Sequence, residues 1–360
     1  MKVNIYTIHM LLASFFLLCL LTLLVSVIPV NTGKGVLKLL STILIVITLA
    51  QFNSWKIVYI NGFILLGLVH VFATIVQFFS SATISSIAIK LLSPNSYLIS
   101  QSLLNNGAYA GLTDQVGING FYITLSVLYW LQVYKNKRSL KYLVLIGIMI
   151  FALILTGKRS MFLAVFIGFL LLSVSSGKIN FKLKNVIYSL LAILFIVYLF
   201  TFVPQANRLL IRVFGLSGGD YSSNRFDMWD TLLSLSIKKP ILGYGYWTSG
   251  SVLGFTPHNA FLQILFETGM IGFILWCLIL MKIVSITYKA YKSDIPQKYR
   301  YYSLSVITSF SIWSLTGNPI IDTYPFLMFL LIPNVLSANI KWFEHKQIHK
   351  NRAFTVSNRK

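Results

Sequence analysis

The sequence predicts an all-α polytopic membrane protein with about ten transmembrane helices and one large external loop. The chain is 56% hydrophobic and only 11% charged, whereas soluble proteins carry about 25% charged residues. Apolar stretches recur along the whole chain, each near the roughly 20 residues that a helix needs to cross the hydrocarbon core. The Lys and Arg residues cluster in alternate loops between these stretches, as expected for a multi-pass protein.

Ten apolar stretches are predicted to span the membrane. The first follows Lys2 and is too long for the core of a signal peptide, so we interpret it as a transmembrane helix. The two shortest are joined by a tight hairpin. The predicted spans are approximately residues 8–30, 36–52, 57–79, 117–134, 140–156, 160–176, 185–203, 258–281, 301–318 and 322–340.

The loop charges predict that both termini are cytoplasmic, because this orientation places most of the 30 Lys and Arg residues inside. We expect a single integral membrane domain, residues 1–360, with a large extracytoplasmic loop at 204–257 and a basic cytoplasmic tail at 341–360. Within that loop, Asn224 is predicted to cap a helix that starts at Arg225. The helix should end before Pro240.

Several functional classes are excluded. The net charge of +22 does not indicate nucleic-acid binding, because the basic residues lie between apolar stretches and not on one domain surface. There is no P-loop, dinucleotide fingerprint, HExxH or paired-cysteine zinc spacing, so we expect no cofactor and no metal. No Asp-x-Asp pair is available to hold a metal against a sugar nucleotide. Cys19 and Cys277 lie in apolar stretches and are expected to be free thiols.

A polar motif opens the eighth predicted span. Pro257 suits the first turn of a helix, and Asn259, Gln263 and Glu267 follow at four-residue spacing on one helix face. A polar stripe in a membrane helix should face the bundle interior or a wet cavity. His258 would then lie on roughly the opposite face from Glu267.

His258 is the histidine that falls at the outer surface in a polar context; His9, His345 and His349 are near the cytoplasmic side. His258 is either an interfacial residue at a helix end or a group that binds or deprotonates an acceptor hydroxyl, work suited to its usual pKa of about 6.5. His70 lies inside the third span and is interpreted as a packed, hydrogen-bonded residue.

The outward hairpin between spans five and six carries two adjacent cations, Lys158 and Arg159, against the positive-inside trend. Ser160 is expected to cap the next helix, so backbone N–H groups and a guanidinium would converge in a phosphate or pyrophosphate site. The alternative is an interfacial anchor with snorkelling side chains.

Arg225 pairs with either Asp227 or a phosphate. Outer aromatic residues either stack on sugar rings or form an aromatic belt: Trp229, Tyr244, Tyr246 and Trp247.

Taken together, the short motifs of residues 100–280 resemble the O-antigen ligase and polymerase superfamily, which includes Wzy-type polymerases and WaaL-type ligases. The order of the motifs and the long external loop both agree. The matching pieces are Gly111-Leu112-Thr113 to Asn119, Thr156-Gly157-Lys158-Arg159-Ser160, Asn224-Arg225-Phe226 with Trp229, Pro240-Ile241-Leu242-Gly243-Tyr244-Gly245, Pro257-His258-Asn259, and Glu267-Thr268-Gly269.

The resemblance implies a GT-C-like membrane glycosyltransferase that uses an undecaprenyl-pyrophosphate-linked glycan on the outer face of the cytoplasmic membrane. The pyrophosphate is already a good leaving group, so no metal or cofactor is required. By position, Arg159 and Arg225 would bind the pyrophosphate and His258 would engage the acceptor, with inversion at the anomeric carbon. The expected substrate-binding residues are Lys158, Ser160, Asn259, Trp229, Tyr244 and Tyr246, and Glu267 is expected to give structural support.

The first functional prediction is a polymerase that joins lipid-linked repeat units of an O-antigen, capsule or exopolysaccharide. The alternative is the ligase of the same superfamily, which transfers the finished glycan to a terminal acceptor. A transporter or flippase would instead carry charges near the bilayer midplane, whereas the charged residues of the candidate site here lie at the outer rim. The expected partners are the lipid-linked glycan, the bilayer, a chain-length regulator and a flippase, with no nucleic acid.

Overall fold

The computed structural model describes residues 7–174, 225–293 and 295–336, and all regular structure in these residues is helical. A 3-10 turn at Thr22–Leu24 follows the first helix. The helices are α1 Thr7–Leu21, α2 Pro29–Ala50, α3 Trp55–Phe79, α4 Ser81–Leu91, α5 Pro94–Asn105, α6 Val116–Lys137, α7 Leu140–Thr156, α8 Arg159–Val174, α9 Arg225–Ser236, α10 Ser249–Leu253, α11 Ala260–Lys292, α12 Gln297–Thr316 and α13 Thr323–Leu330.

Five helical stretches of the described chain are long and apolar enough to cross a membrane: α1 with its 3-10 turn, α2, α3, α6 and α11. Shorter apolar helices include α7 and α8. The predicted class, an all-α polytopic membrane protein, is confirmed. The count of ten spans stays a prediction; span 185–203 and the tail 341–360 lie outside the described residues.

Two predicted boundaries are wrong. The first span, predicted over 8–30, stops being helical after Leu24, and α2 begins at Pro29. Proline fits the first turn of a helix, where its missing N–H is not needed, so hydropathy alone merged two helices. Between the predicted spans 57–79 and 117–134, the structure contains two further helices, α4 and α5. Ser93 caps α5 by accepting a hydrogen bond from the Ser96 N–H.

The chain forms two compact units. The first contains the described residues of Met1–Ile60, Asp227–Ile307 and Ile320–Lys360. Its interior is built around Trp276, which is fully buried and lies 6.1 Å from the Phe15 ring. The second contains the described residues of Asn61–Phe226 and Thr308–Pro319. The single membrane domain stays a prediction.

In the second unit, α6 packs against α7 and α8. His70 of α3 is buried, and its Nδ1 lies 3.0 Å from Asn119 Oδ1. The Asn119 amide donates to Thr74 Oγ1 and to the Tyr109 carbonyl, so its oxygen is left to accept from His70. The histidine ring also stacks on Tyr122. The interpretation of His70 as a packed, hydrogen-bonded residue is confirmed.

In the first unit, α11 is broken at Gly269, where φ is 66° and ψ is −168°. The break leaves the carbonyls of Phe266 and Glu267 without their helical partners. They accept instead from the N–H groups of Tyr244 and Gly245, at 3.0 and 2.9 Å. On the far side of the break, the Met270 N–H donates to the Pro240 carbonyl at 2.8 Å. Residues 240–245 therefore supply hydrogen-bond partners for the backbone groups exposed at the break. Without such partners, a broken helix would be unfavourable within a membrane.

Candidate functional site

The turn between α7 and α8 carries the predicted phosphate-binding residues. Gly157 ends α7 in the left-handed conformation, φ 63°, and Thr156 Oγ1 accepts from the Lys158 N–H at 3.2 Å. Because α8 begins at Arg159, Ser160 is already its second residue. The expectation that Ser160 caps this helix is therefore wrong.

The Ser160 hydroxyl is a second polar group of this turn. Its Oγ is buried and has no hydrogen-bond partner in the part of the chain that the structure describes. It lies in the first turn of α8, where backbone N–H groups and the helix dipole favour an anion. A hydroxyl in this position can donate one further hydrogen bond to that anion.

Arg225 begins α9 and is close enough to Arg159 for the two charges to interact. Burial lowers the pKa of the Arg225 guanidinium, and the positive charge of Arg159 lowers that pKa further. Its buried Nε has no hydrogen-bond partner among the described residues. Two neighbouring guanidinium groups are stabilised when an anion lies between them.

Asn224, the predicted cap of α9, is outside the described residues, whereas the predicted start at Arg225 is confirmed.

In the first unit, the helix predicted to begin at Pro257 begins instead at Ala260. Asn259 is its N-cap, and the Oδ1 atom accepts from the N–H groups of the second and third residues of α11, at 3.0 and 3.1 Å. Asparagine is among the strongest N-cap residues, and this capping bond fixes the start of the helix. The amide oxygen of Asn259 is therefore engaged within the protein, and the expected role of this residue in substrate binding stays a prediction.

His258 consequently lies in the loop before α11, and its predicted position on a helix face is wrong. Its backbone has φ 51°, in the left-handed region that few residues other than glycine adopt. The side chain is exposed. The preceding carbonyl, of Pro257, accepts a hydrogen bond from Trp229 Nε1 at 2.9 Å. The indole thus fixes the loop that presents the imidazole, a contact that sequence reasoning did not find.

Glu267 lies in the interior of the first unit with 1% of its surface exposed. One carboxylate oxygen accepts from the Trp247 N–H at 2.9 Å. The other accepts from the Ser249 N–H at 3.2 Å and from Gln263 Nε2 at 2.9 Å. Gln263 and Glu267 therefore share one buried face of α11, and the carboxylate holds a turn in which Trp247 has φ 69°.

Two predicted sugar-stacking residues are committed to the fold. Tyr246 is 3% exposed and its ring packs edge-on against Phe15, so its predicted contact with a glycan stays a prediction that the packing disfavours. The Tyr244 ring stacks on Phe266 with centroids 4.5 Å apart. The Lys239 ammonium also lies 4.9 Å from the Tyr244 ring centroid, so the faces of this ring are used within the protein.

Lys38 is a residue of this unit that the sequence reasoning did not single out. Its ammonium lies 4.6 Å from the centroid of the Trp247 ring and donates to the Ile321 carbonyl at 2.6 Å. The sequence signal that could have identified Lys38 is its position as the single lysine in a predicted membrane span, because such residues face the protein interior. Together with Glu267, it fixes the position of Trp247.

These features define a polytopic membrane protein with a cluster of cationic and polar side chains at a helix N-terminus. Residues 143–277 match the O-antigen ligase family, Wzy_C. The chain is also 28% identical over 224 residues to the ComP-specific O-oligosaccharyltransferase of Acinetobacter baylyi. That similarity covers 56% of this chain and 38% of the relative. Both similarities support the predicted resemblance to the O-antigen ligase superfamily.

Proposed function

We propose that this protein is a membrane glycan transferase, which moves a glycan from undecaprenyl pyrophosphate to the hydroxyl group of a terminal acceptor. The observation that carries the proposal is the pair of interacting guanidinium groups, Arg159 and Arg225, at the start of α8 and α9. The Ser160 hydroxyl, which has no hydrogen-bond partner within the described part of the chain, lies in the same turn of α8 as Arg159. This arrangement suits a pyrophosphate better than a single phosphate, because it offers two separate cations.

The proposed chemistry follows from this charge. When the acceptor oxygen bonds to the anomeric carbon, the bond to the pyrophosphate oxygen breaks and negative charge grows on the leaving group. Arg159 and Arg225 stabilise that charge by planar, two-pronged hydrogen bonding. Lys158 contributes a point charge, and Ser160 donates a hydrogen bond. In-line attack inverts the anomeric centre, which linkage analysis of donor and product tests.

For His258 we propose the role of orienting the acceptor hydroxyl and taking its proton. The imidazole is exposed on a loop, and its backbone is held in a sparsely populated conformation. Such conformations cost free energy and concentrate at functional sites. Imidazole is the side chain best suited to accept a proton near neutral pH.

Between the two predicted reactions, transfer to a final acceptor has more support than polymerisation. The matching family is described as O-antigen ligase, and the similar protein is named as an oligosaccharyltransferase. The polymerase, which was the first prediction from the sequence, uses the same leaving group and remains an outcome of the test. The proposed location, the outer face of the cytoplasmic membrane, rests on the distribution of Lys and Arg along the chain.

The test is a gel analysis of surface glycans and of lipid-linked glycans in a deletion strain. The strain is complemented with the wild type, with Arg225→Ala, or with Lys238→Ala, which removes an exposed cation of the same part of the chain. For a ligase, the deletion and Arg225→Ala leave full-length glycan on undecaprenyl pyrophosphate, and Lys238→Ala restores transfer. Acceptors that carry a single repeat unit would instead indicate a polymerase. Unchanged glycans in the deletion strain would exclude both reactions.

A further inference from the structure

Asn318 carries a buried amide that the fold does not satisfy. The residue follows the C-terminal end of α12 and is 7% exposed. Neither its Nδ2 nor its Oδ1 has a hydrogen-bond partner among the described residues. The buried Oγ1 atom of Thr316, two residues earlier, is also without a partner there. Burying polar atoms without hydrogen bonds is unfavourable, so this cluster requires an explanation.

Other buried amides in the protein show that the fold can satisfy such groups. Asn119 is fully buried, and its two amide atoms contact His70, Thr74 and the Tyr109 carbonyl. Asn334 is also fully buried; it donates to the Val46 carbonyl at 2.6 Å, and its Oδ1 lies 3.3 Å from a histidine nitrogen. In contrast, Asn318 presents one acceptor and two donor hydrogens to its surroundings.

Asn318 and the turn between α7 and α8 belong to the second unit, and their segments are connected there through Trp313 and the first turns of α6. Gly317 packs directly against the Trp313 indole. The same indole lies against the first turn of α6, where a β-carbon on Gly117 would be 2.8 Å from it. One helical turn further along α6, a β-carbon on Gly120 would be 3.5 Å from Thr156 Oγ1 and 3.6 Å from the β-carbon of Lys158. Residues three apart on a helix are about 5–6 Å from each other.

The first turns of α6 therefore bring the segment of Asn318 and the segment of Arg159 to the same end of the same helix. Each segment contributes a buried polar atom that lacks a partner in the described chain: the amide of Asn318 and the hydroxyl of Ser160. The arginines supply charge for a pyrophosphate. The amide supplies neutral hydrogen bonds, which are suited to a neutral group attached to that pyrophosphate.

We propose that Asn318 and Thr316 form a glycan subsite, which binds hydroxyl groups of the sugar attached to the pyrophosphate. A sugar hydroxyl both donates and accepts, and the amide and the threonine hydroxyl together offer both functions. A site of this kind rejects ligands that lack the matching hydroxyl, because its buried polar groups are then left unpaired. Asn318 is thus assigned as a specificity-determining residue. This inference rests on the proposed function.

The test compares two ligands and two asparagines. Purified wild type, Asn318→Ala and Asn334→Ala are titrated with undecaprenyl pyrophosphate, and with the glycan-bearing lipid pyrophosphate extracted from membranes of the source cells. The thermal stability of each protein in detergent is measured in parallel. Asn334→Ala is the matched control, because it removes a buried amide whose hydrogen bonds lie within the protein.

For Asn318→Ala we expect Kd for the glycan-bearing lipid to rise about tenfold or more, as expected for the loss of one or two hydrogen bonds. Its Kd for undecaprenyl pyrophosphate and its melting temperature should stay at wild-type values. Asn334→Ala should lower the melting temperature. The subsite is contradicted if Asn318→Ala binds both lipids as the wild type does, if it weakens both equally, or if it lowers the melting temperature as Asn334→Ala does.

Failure of this inference is distinguishable from failure of the proposed function. If the wild type transfers glycan and Arg225→Ala does not, the proposed function holds whatever the Asn318 result is. If the wild type binds neither lipid, the proposed function fails and the subsite fails with it.

Discussion

The carboxylate of Glu267 accepts a hydrogen bond from the backbone N–H of Trp247, 2.9 Å away and 20 residues earlier in the chain. Next to this contact, the carbonyl of Glu267 accepts from the Gly245 N–H. One residue therefore holds the preceding loop through both its side chain and its backbone. This explains why the Gly-Tyr-Gly segment and the Glu-Thr-Gly segment occur together in the sequence: they are two halves of one structural connection.

Replacement of Glu267 should destabilise the protein. Glu267→Ala leaves the N–H groups of Trp247 and Ser249 and the amide of Gln263 without their acceptors, at about 1–3 kcal/mol for each buried group. Glu267→Gln retains an oxygen for Ser249 and Gln263 but places an NH₂ group against the Trp247 N–H. We therefore expect a loss of several kcal/mol for alanine and about 1–2 kcal/mol for glutamine. Unfolding by denaturing detergent measures both, and equal stability of the alanine variant and the wild type would contradict this role.

Gly269 is required by both its conformation and its contacts. Its φ of 66° disfavours other residues, and a β-carbon there would collide with the Ile241 carbonyl. Gly269→Ala should lower the unfolding free energy by about 3 kcal/mol or more, because it separates residues 240–245 from the break in α11. Gly147→Ala, in the interior of α7 with open space around it, is the control. Its effect should be neutral or slightly stabilising, within about 1 kcal/mol.

The sequence predicted much of the helical framework but not the backbone of the site. Hydropathy located α7 at residues 140–156, and α9 has the predicted start at Arg225 and ends before Pro240 as predicted. Local sequence signals gave the wrong start for α11, because the side chain of Asn259 caps the helix two residues after Pro257. Asn259 ends the loop by capping α11, and this capping bond excludes His258 from the helix. The left-handed conformation of His258 could not be predicted, because it depends on long-range contacts such as that between Trp229 and Pro257.

Burial also decides which of the predicted binding residues are available. Tyr246 and Tyr244 are aromatic residues of the kind that stack on sugars. In the structure, however, the Tyr246 ring packs against Phe15 and the Tyr244 ring stacks on Phe266. These partners come from α1 and α11, so pattern alone could not identify them. Conversely, Asn318 has no distinguishing sequence pattern, and only its burial without partners in the described chain reveals it.

Substitution of His258 should separate folding from activity. Asparagine tolerates the left-handed conformation, so His258→Asn should keep the wild-type stability while transfer falls about 10²–10⁴-fold through the loss of the base. His258→Ala should lose the same activity and about 1–2 kcal/mol of stability in addition. A transfer assay and a detergent unfolding curve for each variant provide the measurement. Wild-type transfer by His258→Asn would remove the histidine from the mechanism.

The guanidinium shape should matter at Arg225 as well as its charge. Arg225→Lys keeps the positive charge but loses the two-pronged hydrogen bonding. We expect transfer to fall about 10²–10³-fold for Arg225→Ala, with Arg225→Lys between alanine and the wild type. Lys238→Ala should keep the wild-type rate. If lysine restored full activity, charge alone would be sufficient and the proposed contact with the pyrophosphate oxygens would be wrong.

The central claim is that Arg159 and Arg225 hold a pyrophosphate leaving group. The most direct test uses purified protein with lipid-linked glycan and acceptor from the source cells, and quantifies both the transferred glycan and the released undecaprenyl pyrophosphate. We predict that the wild type releases one undecaprenyl pyrophosphate for each glycan transferred, and that the Arg159→Ala/Arg225→Ala double variant, folded as judged by its melting temperature, releases none. Release at the wild-type rate by the double variant would contradict the account.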